Sequence, residues 1–346
     1  MKAIVKYEMA PYRTRLMEVP MPQCQEDQVL LKVMAAGVCG SDIDMWKHTA
    51  GFSISTPVIH GHEFCGVIVK TGDRVKHFHV HDRVVCETAS YICGECRYCR
   101  TGQYNQCPSR LGYGALVDGA MAEYVAVPER ILHRLPDGLS FETAALTEPC
   151  CVAYNAMMVK TRIQPGRPVA IIGPGTIGLL CVAMAKLAGA YPVILIGRKS
   201  SENRMKLAEC LGADAVLYSD LENVKQRVGE LTGEEVVPIV CDCAGNEETF
   251  ALSMDLVAGN GQITKVGWGP RPIQMSLDPI VQKAACIQGA FSHTWDTWET
   301  VIRLLAHNRL PIEPFLTHVY SIDRWEDGFR AMADREAVKS IILPGQ

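Results

Sequence analysis

Val169-Ala170-Ile171-Ile172-Gly173-Pro174-Gly175-Thr176-Ile177-Gly178 is the stretch on which the reading of this chain turns. Four apolar residues, three of them β-branched, read as a short buried strand. The glycine pattern follows at once, and a helical pattern runs on through Lys186. In that setting the three glycines have separate tasks: a tight turn, close approach of a pyrophosphate, and close packing of helix on sheet. The helix N-terminus adds partial positive charge for the phosphates. The stretch therefore predicts a dinucleotide site built on Gly173, Gly175, Thr176, Ile177 and Gly178.

Strand and helix keep alternating downstream. Residues 193–196 read as a strand and 202–211 as a helix; 215–217, 238–242 and 262–266 read as further strands. Such alternation is the signature of a doubly wound parallel sheet, so the fold class is α/β. Upstream, from Met1 to about residue 145, short β-rich runs such as 29–33, 66–70 and 83–85 are punctuated by Gly, Pro and Asp, which indicates a barrel-like β domain. Helical patterns return after Gly289, at 298–305 and 325–332, before a last strand at 341–343.

Enzymes that use NAD place an acid at the end of the second strand to bind the ribose hydroxyls. Here that position is Gly197, followed by Arg198 and Lys199. Two cations stand where a 2′-phosphate would lie. The reading favours NADP(H), with NAD(H) open through Glu202.

The chain has 346 residues and a net charge of −4, room for two domains and no electrostatic footprint for nucleic acid or an anionic membrane. Its most apolar region, 169–196, is interrupted by Gly173, Pro174, Lys186, Gly189 and Pro192 and does not read as a membrane span. No secretory pattern is visible at the amino terminus. The fifteen cysteines then suit reduced thiols and metal ligands in a cytoplasmic protein better than a disulfide scaffold.

Two groups of residues carry metal chemistry. Cys93-x-x-Cys96-x-x-Cys99-x₇-Cys107 has the spacing to wrap one tetrahedral zinc and close it to water, a site that adds folding energy and no reactivity. Cys39, His62, Glu63 and Glu148 offer a thiolate, an imidazole and two carboxylates from scattered positions. That donor set suits zinc with a coordination place left open.

Cys39-Gly40-Ser41-Asp42, Gly61-His62-Glu63, the four-cysteine lobe at about 90–110, Gly119-x-x-Ala122-Glu123-Tyr124 and the later glycine turn occur in one order along the chain. On these motifs the chain resembles the zinc-dependent, medium-chain alcohol dehydrogenases over essentially its whole length, and within them the sorbitol (polyol) and L-threonine dehydrogenase branch. The resemblance implies a GroES-like β-barrel catalytic domain at 1–150, a Rossmann cofactor domain at 151–289, and a segment at 290–346 that completes the catalytic domain. It implies two zinc ions per chain. Cys39 and His62, with Glu63 or Glu148 or both, would hold the catalytic ion, and Ser41 would take the alcohol's proton. Asp42 either orients His62 or caps a helix. The histidine that often continues the proton relay is replaced by Asp44.

The implied substrate is a secondary alcohol with further polar groups: a sugar alcohol or cyclitol first, L-threonine second. The polyol enzymes' Gly-Ser-Phe-Arg-Tyr is only loosely matched by Gly289-Ala290-Phe291-Ser292-His293, while Asp296-Thr297-Trp298-Glu299 is similar to the threonine enzymes. A reading of another class, a redox sensor using Cys150-Cys151, stands apart. Relatives imply a homodimer or homotetramer, with an edge strand near Ile287-Gln288-Gly289 as interface. His77, His79 and His81 alternate as if on one face of a strand, and they and His60 are expected to be solvated.

Overall fold

A computed structural model of the chain describes residues 1–269 and 271–345. It divides into two units: Met1–Glu148 with His293–Asn308 and Phe315–Gln346, and Pro149–Ser292 with Arg309–Pro314.

The first unit is built on the ten-residue strand Gln28–Gly37, whose alternate residues Val29, Leu31, Val33 and Ala35 are buried. It pairs antiparallel with Glu63–Thr71 along its length, with Tyr124–Pro128 at its start and with Ser340–Leu343 at its end. Arg83–Cys86 and Leu132–Arg134 extend the sheet on one side, and His318–Ser321 on the other. The register sets Gly37 opposite Glu63 and Ile341. A Cβ there would overlap the Glu63 carboxylate, so glycine leaves that acid its place. The core contains Leu31, Phe64, Ile68, Trp46, Trp325, Phe329 and Ile342. Trp46 meets the edges of Phe329 and Trp325 at 5.8 and 6.4 Å, which fixes the helix Gly40–Lys47 to the helix Trp325–Ala333. Burying rings of this size contributes roughly 1.5–3 kcal/mol each.

The second unit holds a six-stranded parallel sheet in the order Ala215–Tyr218, Val193–Gly197, Val169–Ile172, Val237–Asp242, Val257–Lys265, Cys286–Gly289. The chain starts near the middle and winds outward both ways, so the crevice for a dinucleotide lies beside the first strand. The GroES-like and doubly wound architectures expected from the sequence are both present. Cys286–Gly289 is an edge strand, with Ile287 exposed.

Two local expectations need correction. The helix expected at 202–211 is bent into Glu202–Met205 and Leu207–Cys210, with Lys206 between them still in right-handed backbone (φ −61°, ψ −26°). Residues 77–81 form a loop and not a strand. Asp82 turns it by accepting the His79 N–H at 2.8 Å, and His81 takes a left-handed φ of 78°. The three histidines are exposed, as a solvated segment would be.

Candidate metal centre and cofactor site

Cys39 is the N-cap of the helix Gly40–Lys47, and Asp42 in the first turn reaches back to accept its N–H at 2.9 Å. The same carboxylate accepts the Gly61 N–H at 3.3 Å and faces His60 Nδ1 at 3.4 Å. Burial works against its charge, but His60 and the nearby His62 hold the Asp42 pKa below the usual carboxylate value. Asp42 thus caps the helix and ties it to the His60-Gly61 backbone; the ring it orients is His60 and not His62. His60 is fully buried, against the expectation of a solvated residue. Its Nε2 meets Thr14 Oγ1 at 3.1 Å, and its ring lies edge-on to Phe329. Gly61 has a φ of 97°, and a Cβ there would meet Met121 Cγ at 2.7 Å, so the turn that aims His62 requires glycine.

Donor atoms of Cys39, His62 and Glu63 all lie within 4.8 Å of one another. Burial would lower the His62 pKa, but Cys39 beside it pushes it up to about 10. Burial pushes the Glu63 carboxyl up as well, against the pull of Lys339. Glu63 Oε2 accepts no well-aligned hydrogen bond; the buried Lys339 ammonium stands against it as an ion pair and also donates to Val38 O at 3.0 Å. A thiol, an imidazole and a buried, under-satisfied carboxylate within one coordination radius fit a zinc ion. Ser41 is half-buried in the first turn of the same helix.

Glu148 opens the helix Thr147–Tyr154 and stands outside that cluster. Its Oε1 lies 3.1 Å from His293 Nε2, while Trp298 Nε1 donates to His293 Nδ1 at 2.7 Å. An indole N–H can only donate. His293 Nδ1 therefore carries the lone pair, Nε2 carries the proton, and the contact to Glu148 is a hydrogen bond from a neutral ring. Burial raises the Glu148 pKa, but this bond and the neighbouring His62 and Lys339 hold it below the usual value. Trp298, fully buried, stacks on His133 at 5.5 Å and 9°. His133 meets Glu299 at 2.7 Å and Glu87 at 3.3 Å, and Glu87 accepts the Tyr104 hydroxyl at 2.8 Å. Tyr104 lies in the loop between Cys99 and Cys107, so one chain of contacts joins that lobe to Glu148.

In the lobe, Cys93, Cys96, Cys99 and Cys107 bring their sulfurs within 4.8 Å, and none is in a disulfide. The amides of Cys96, Cys99 and Cys93 donate to the sulfurs of Cys93, Cys96 and Cys107 at 3.3–3.5 Å. Amides of Cys96 and Glu95 pull the Cys93 pKa down to about 7, while burial pushes Cys99 up to about 12. The geometry fits a closed four-thiolate zinc.

At the glycine turn, Gly173 has a φ of 106° and closes on Ala244, and a Cβ on Gly178 would overlap Gly173 O. Gly175 caps the helix Thr176–Leu187 and has open space where a Cβ would point. That is the cradle a pyrophosphate needs, with Thr176 and Ile177 half-buried beside it. Gly197 ends its strand buried. Arg198 lines a cavity of about 650 Å³ with Asn246, Glu247, Arg271 and Gln274, and is ion-paired to Glu248. Lys199 pairs with Glu202 at 2.9 Å, and its amide donates to Asp220. Cys150 and Cys151 are fully buried, a poor setting for a redox sensor.

Sequence reasoning passed over His293, Trp298 and Lys339 as site residues. Lys339 carried a signal, a lone charge inside the apolar run Ala337-Val338-Lys339-Ser340-Ile341-Ile342; His293 and Trp298 carried none that spacing reveals.

Residues 25–137 match the alcohol dehydrogenase GroES-like domain, and 176–307 the zinc-binding dehydrogenase domain. The chain is 36% identical to a sorbitol dehydrogenase of Halalkalibacterium halodurans, with 99% of each chain covered. It is 35% identical to a D-arabitol-phosphate dehydrogenase of Enterococcus avium, covering 99% of this chain and 97% of the relative. An L-threonine 3-dehydrogenase of Bacillus velezensis is 34% identical, with 99% of each covered. Among solved structures, a zinc-binding dehydrogenase from Sinorhizobium meliloti bound to NADP superposes with a TM-score of 0.90, at 30% identity and 99% coverage of both chains.

Proposed function

The chain belongs to the zinc-dependent, medium-chain alcohol dehydrogenase family, and on that premise we propose that it oxidises a secondary alcohol of a sugar alcohol, free or phosphorylated, or of a cyclitol, with NADP⁺ as the preferred acceptor. The observation that carries this reading is the meeting of half-buried Cys39 and His62 with buried Glu63, Lys339 standing behind the acid, in a chain whose relatives include polyol dehydrogenases. When bound, zinc supplies Lewis acidity toward the substrate hydroxyl, and the nicotinamide ring accepts the hydride.

The chain's own residues supply the rest. Cys39, His62 and Glu63 hold the ion, with Glu148 kept anionic nearby by the His293 hydrogen bond. Ser41 accepts the proton from the substrate hydroxyl as it releases its own to water at its open face. Gly175 and the helix end behind it receive the pyrophosphate, and Arg198 grips the 2′-phosphate. The second zinc is held by Cys93, Cys96, Cys99 and Cys107 and braces the fold.

The test is a steady-state screen of alditols, alditol phosphates, cyclitols and amino alcohols with both cofactors. A polyol with kcat/KM well above the rest, and higher with NADP⁺, is the expected result; turnover confined to simple primary alcohols would reject the substrate class. L-Threonine oxidation is the second reading. It is favoured by the 34% identical threonine enzyme and by Trp298, in a segment similar to that branch, which reaches Glu148 through the single residue His293.

A further inference from the structure

We infer that the nucleotide-binding unit carries a third metal site, a three-thiol pocket for a soft, closed-shell ion of the copper(I) class. Cys181 on the helix Thr176–Leu187, Cys241 on the strand Val237–Asp242 and Cys243 just past its end converge under the glycine turn. Their sulfurs all lie within 4.8 Å of one another, with Cys241–Cys243 at 3.6 Å and Cys243–Cys181 at 3.9 Å. The zinc lobe shows the same spacings, Cys107–Cys93 at 3.6 Å and Cys93–Cys99 at 3.9 Å. Metal–sulfur bonds of about 2.3 Å would set sulfurs about 3.8 Å apart in a tetrahedral array and about 4.0 Å apart in a trigonal one. The pocket is thus as well spaced for a metal as the lobe is.

What differs is the number of ligands and their surroundings. Among the described residues no fourth His, Cys, Asp or Glu donor joins the three sulfurs. Cys181 and Cys241 are buried and Cys243 half-buried. Zinc in a structural site takes four ligands, whereas an all-sulfur, three-donor, water-poor pocket selects a soft ion. The hydrogen bonds among the three thiols raise and lower each group in turn, while burial and the neighbouring thiols' charge hold all three pKa values well above the ordinary thiol value. They are therefore poor nucleophiles at neutral pH, and only a strongly thiophilic ion will displace their protons to solvent.

The site is placed to act on cofactor binding. The Cys243 N–H donates to Ile172 O at 2.9 Å, immediately before Gly173. A Cβ on Gly178 would lie 3.5 Å from Cys243 Cβ, and one on Gly173 would lie 3.0 Å from the Ala244 nitrogen. Loading exchanges three thiol protons for one monovalent ion and so adds two negative charges beneath the turn that receives the pyrophosphate, and occupancy weakens cofactor binding. None of the three cysteines is used in the dehydrogenase chemistry proposed above.

The test uses the zinc-loaded, fully reduced chain under nitrogen. It is titrated with copper(I) buffered by bicinchoninate, and copper and zinc per chain are measured together. The expected result is one copper(I) bound with no loss of zinc. Copper-edge X-ray absorption should show three sulfur neighbours and no nitrogen or oxygen. NADP⁺ affinity should fall on loading, and Cys243→Ala should weaken copper binding at least about tenfold. Copper uptake matched by zinc release, or unaltered in Cys243→Ala, would place the ion elsewhere and overturn the assignment. If that variant fails to fold, the wild-type absorption spectrum decides: nitrogen or oxygen neighbours reject the pocket, and Cys181→Ala provides a second deletion.

Discussion

Replacing Arg198 by alanine should shift the enzyme's cofactor preference, and the size of the shift follows from the partner Arg198 already has. Its guanidinium is paired with Glu248, and both side chains are more than half exposed, at 54% and 66%. An exposed pair of this kind is worth roughly 0.2–1 kcal/mol. Charge-assisted hydrogen bonds to a phosphate are worth roughly 1.5–3 kcal/mol. Exchanging Glu248 for a 2′-phosphate therefore gains about 1–2 kcal/mol, or roughly five- to thirtyfold in affinity. Arg198→Ala should raise the NADP⁺ dissociation constant by that factor and leave NAD⁺ nearly unchanged. Glu248→Gln should act in the opposite direction, tightening NADP⁺ by a few-fold because the competitor is gone. Gly197→Asp, the substitution the sequence first suggests for an NAD⁺ enzyme, is a poor probe. Its Cβ would sit 2.5 Å from Met205 Sδ and 3.0 Å from Pro174 Cδ. Titration calorimetry with both cofactors, at low and high salt, gives the answer. Equal loss of NAD⁺ and NADP⁺ in Arg198→Ala, or loss of neither, would refute the phosphate role.

Elemental analysis should find two zinc ions per chain, and Cys99→Ala should lose one of them together with thermal stability; active protein with a single zinc would contradict the assignment. Ser41→Ala should keep zinc and cofactor while turnover falls roughly 10²–10⁴-fold, and near-normal turnover would give the proton to another group. Trp298→Phe keeps a ring to stack on His133 but leaves His293 Nδ1 without its donor. It should cost about 1–3 kcal/mol in urea unfolding and leave His293 free to adopt the other tautomer, which cannot donate to Glu148 from Nε2. A variant with wild-type stability would mean that the indole does not set the tautomer. Lys339→Met strands Glu63 in the core and should destabilise the zinc-free protein by about 3–5 kcal/mol. The zinc-loaded form should lose less, since the ion neutralises the same carboxylate; equal losses with and without chelator would separate Lys339 from the metal site.

What could be read from the sequence was what local geometry demands. Gly173 and Gly178 are required by a left-handed φ and by a backbone contact within six residues, so the pattern alone identifies the turn. The lobe cysteines are spaced along one loop and bond to one another's amides, which is again a local matter. The pairing of His293 with Glu148 spans 145 residues, and that of Lys339 with Val38 spans 301. No periodicity reports such contacts. His60 misled for the same reason: Phe329 and Thr14, which bury and satisfy it, lie far away in sequence. Arg198 was visible as a cation, but its competitor Glu248 lies 50 residues on. Asp42 shows the limit from the other side. Its capping role is local and was among the readings, while the ring it orients depends on how the His60-Gly61 turn folds back.

The run of contacts from Tyr104 through Glu87, His133, Trp298 and His293 to Glu148 has a consequence for the order in which the protein is made. Residues 39, 62, 63 and 148 emerge early in synthesis, but the groups that aim two of them, His293 and Lys339, emerge much later. The cofactor unit in between can close its sheet while the metal pocket still lacks the lysine behind Glu63 and the donor for Glu148. A nascent or truncated chain that ends before Lys339 therefore has Cys39, His62, Glu63 and Glu148, and the His293 partner of Glu148, but not the ammonium that stands against the Glu63 carboxylate. The surroundings of Glu63 are therefore complete only once the chain has been made as far as Lys339.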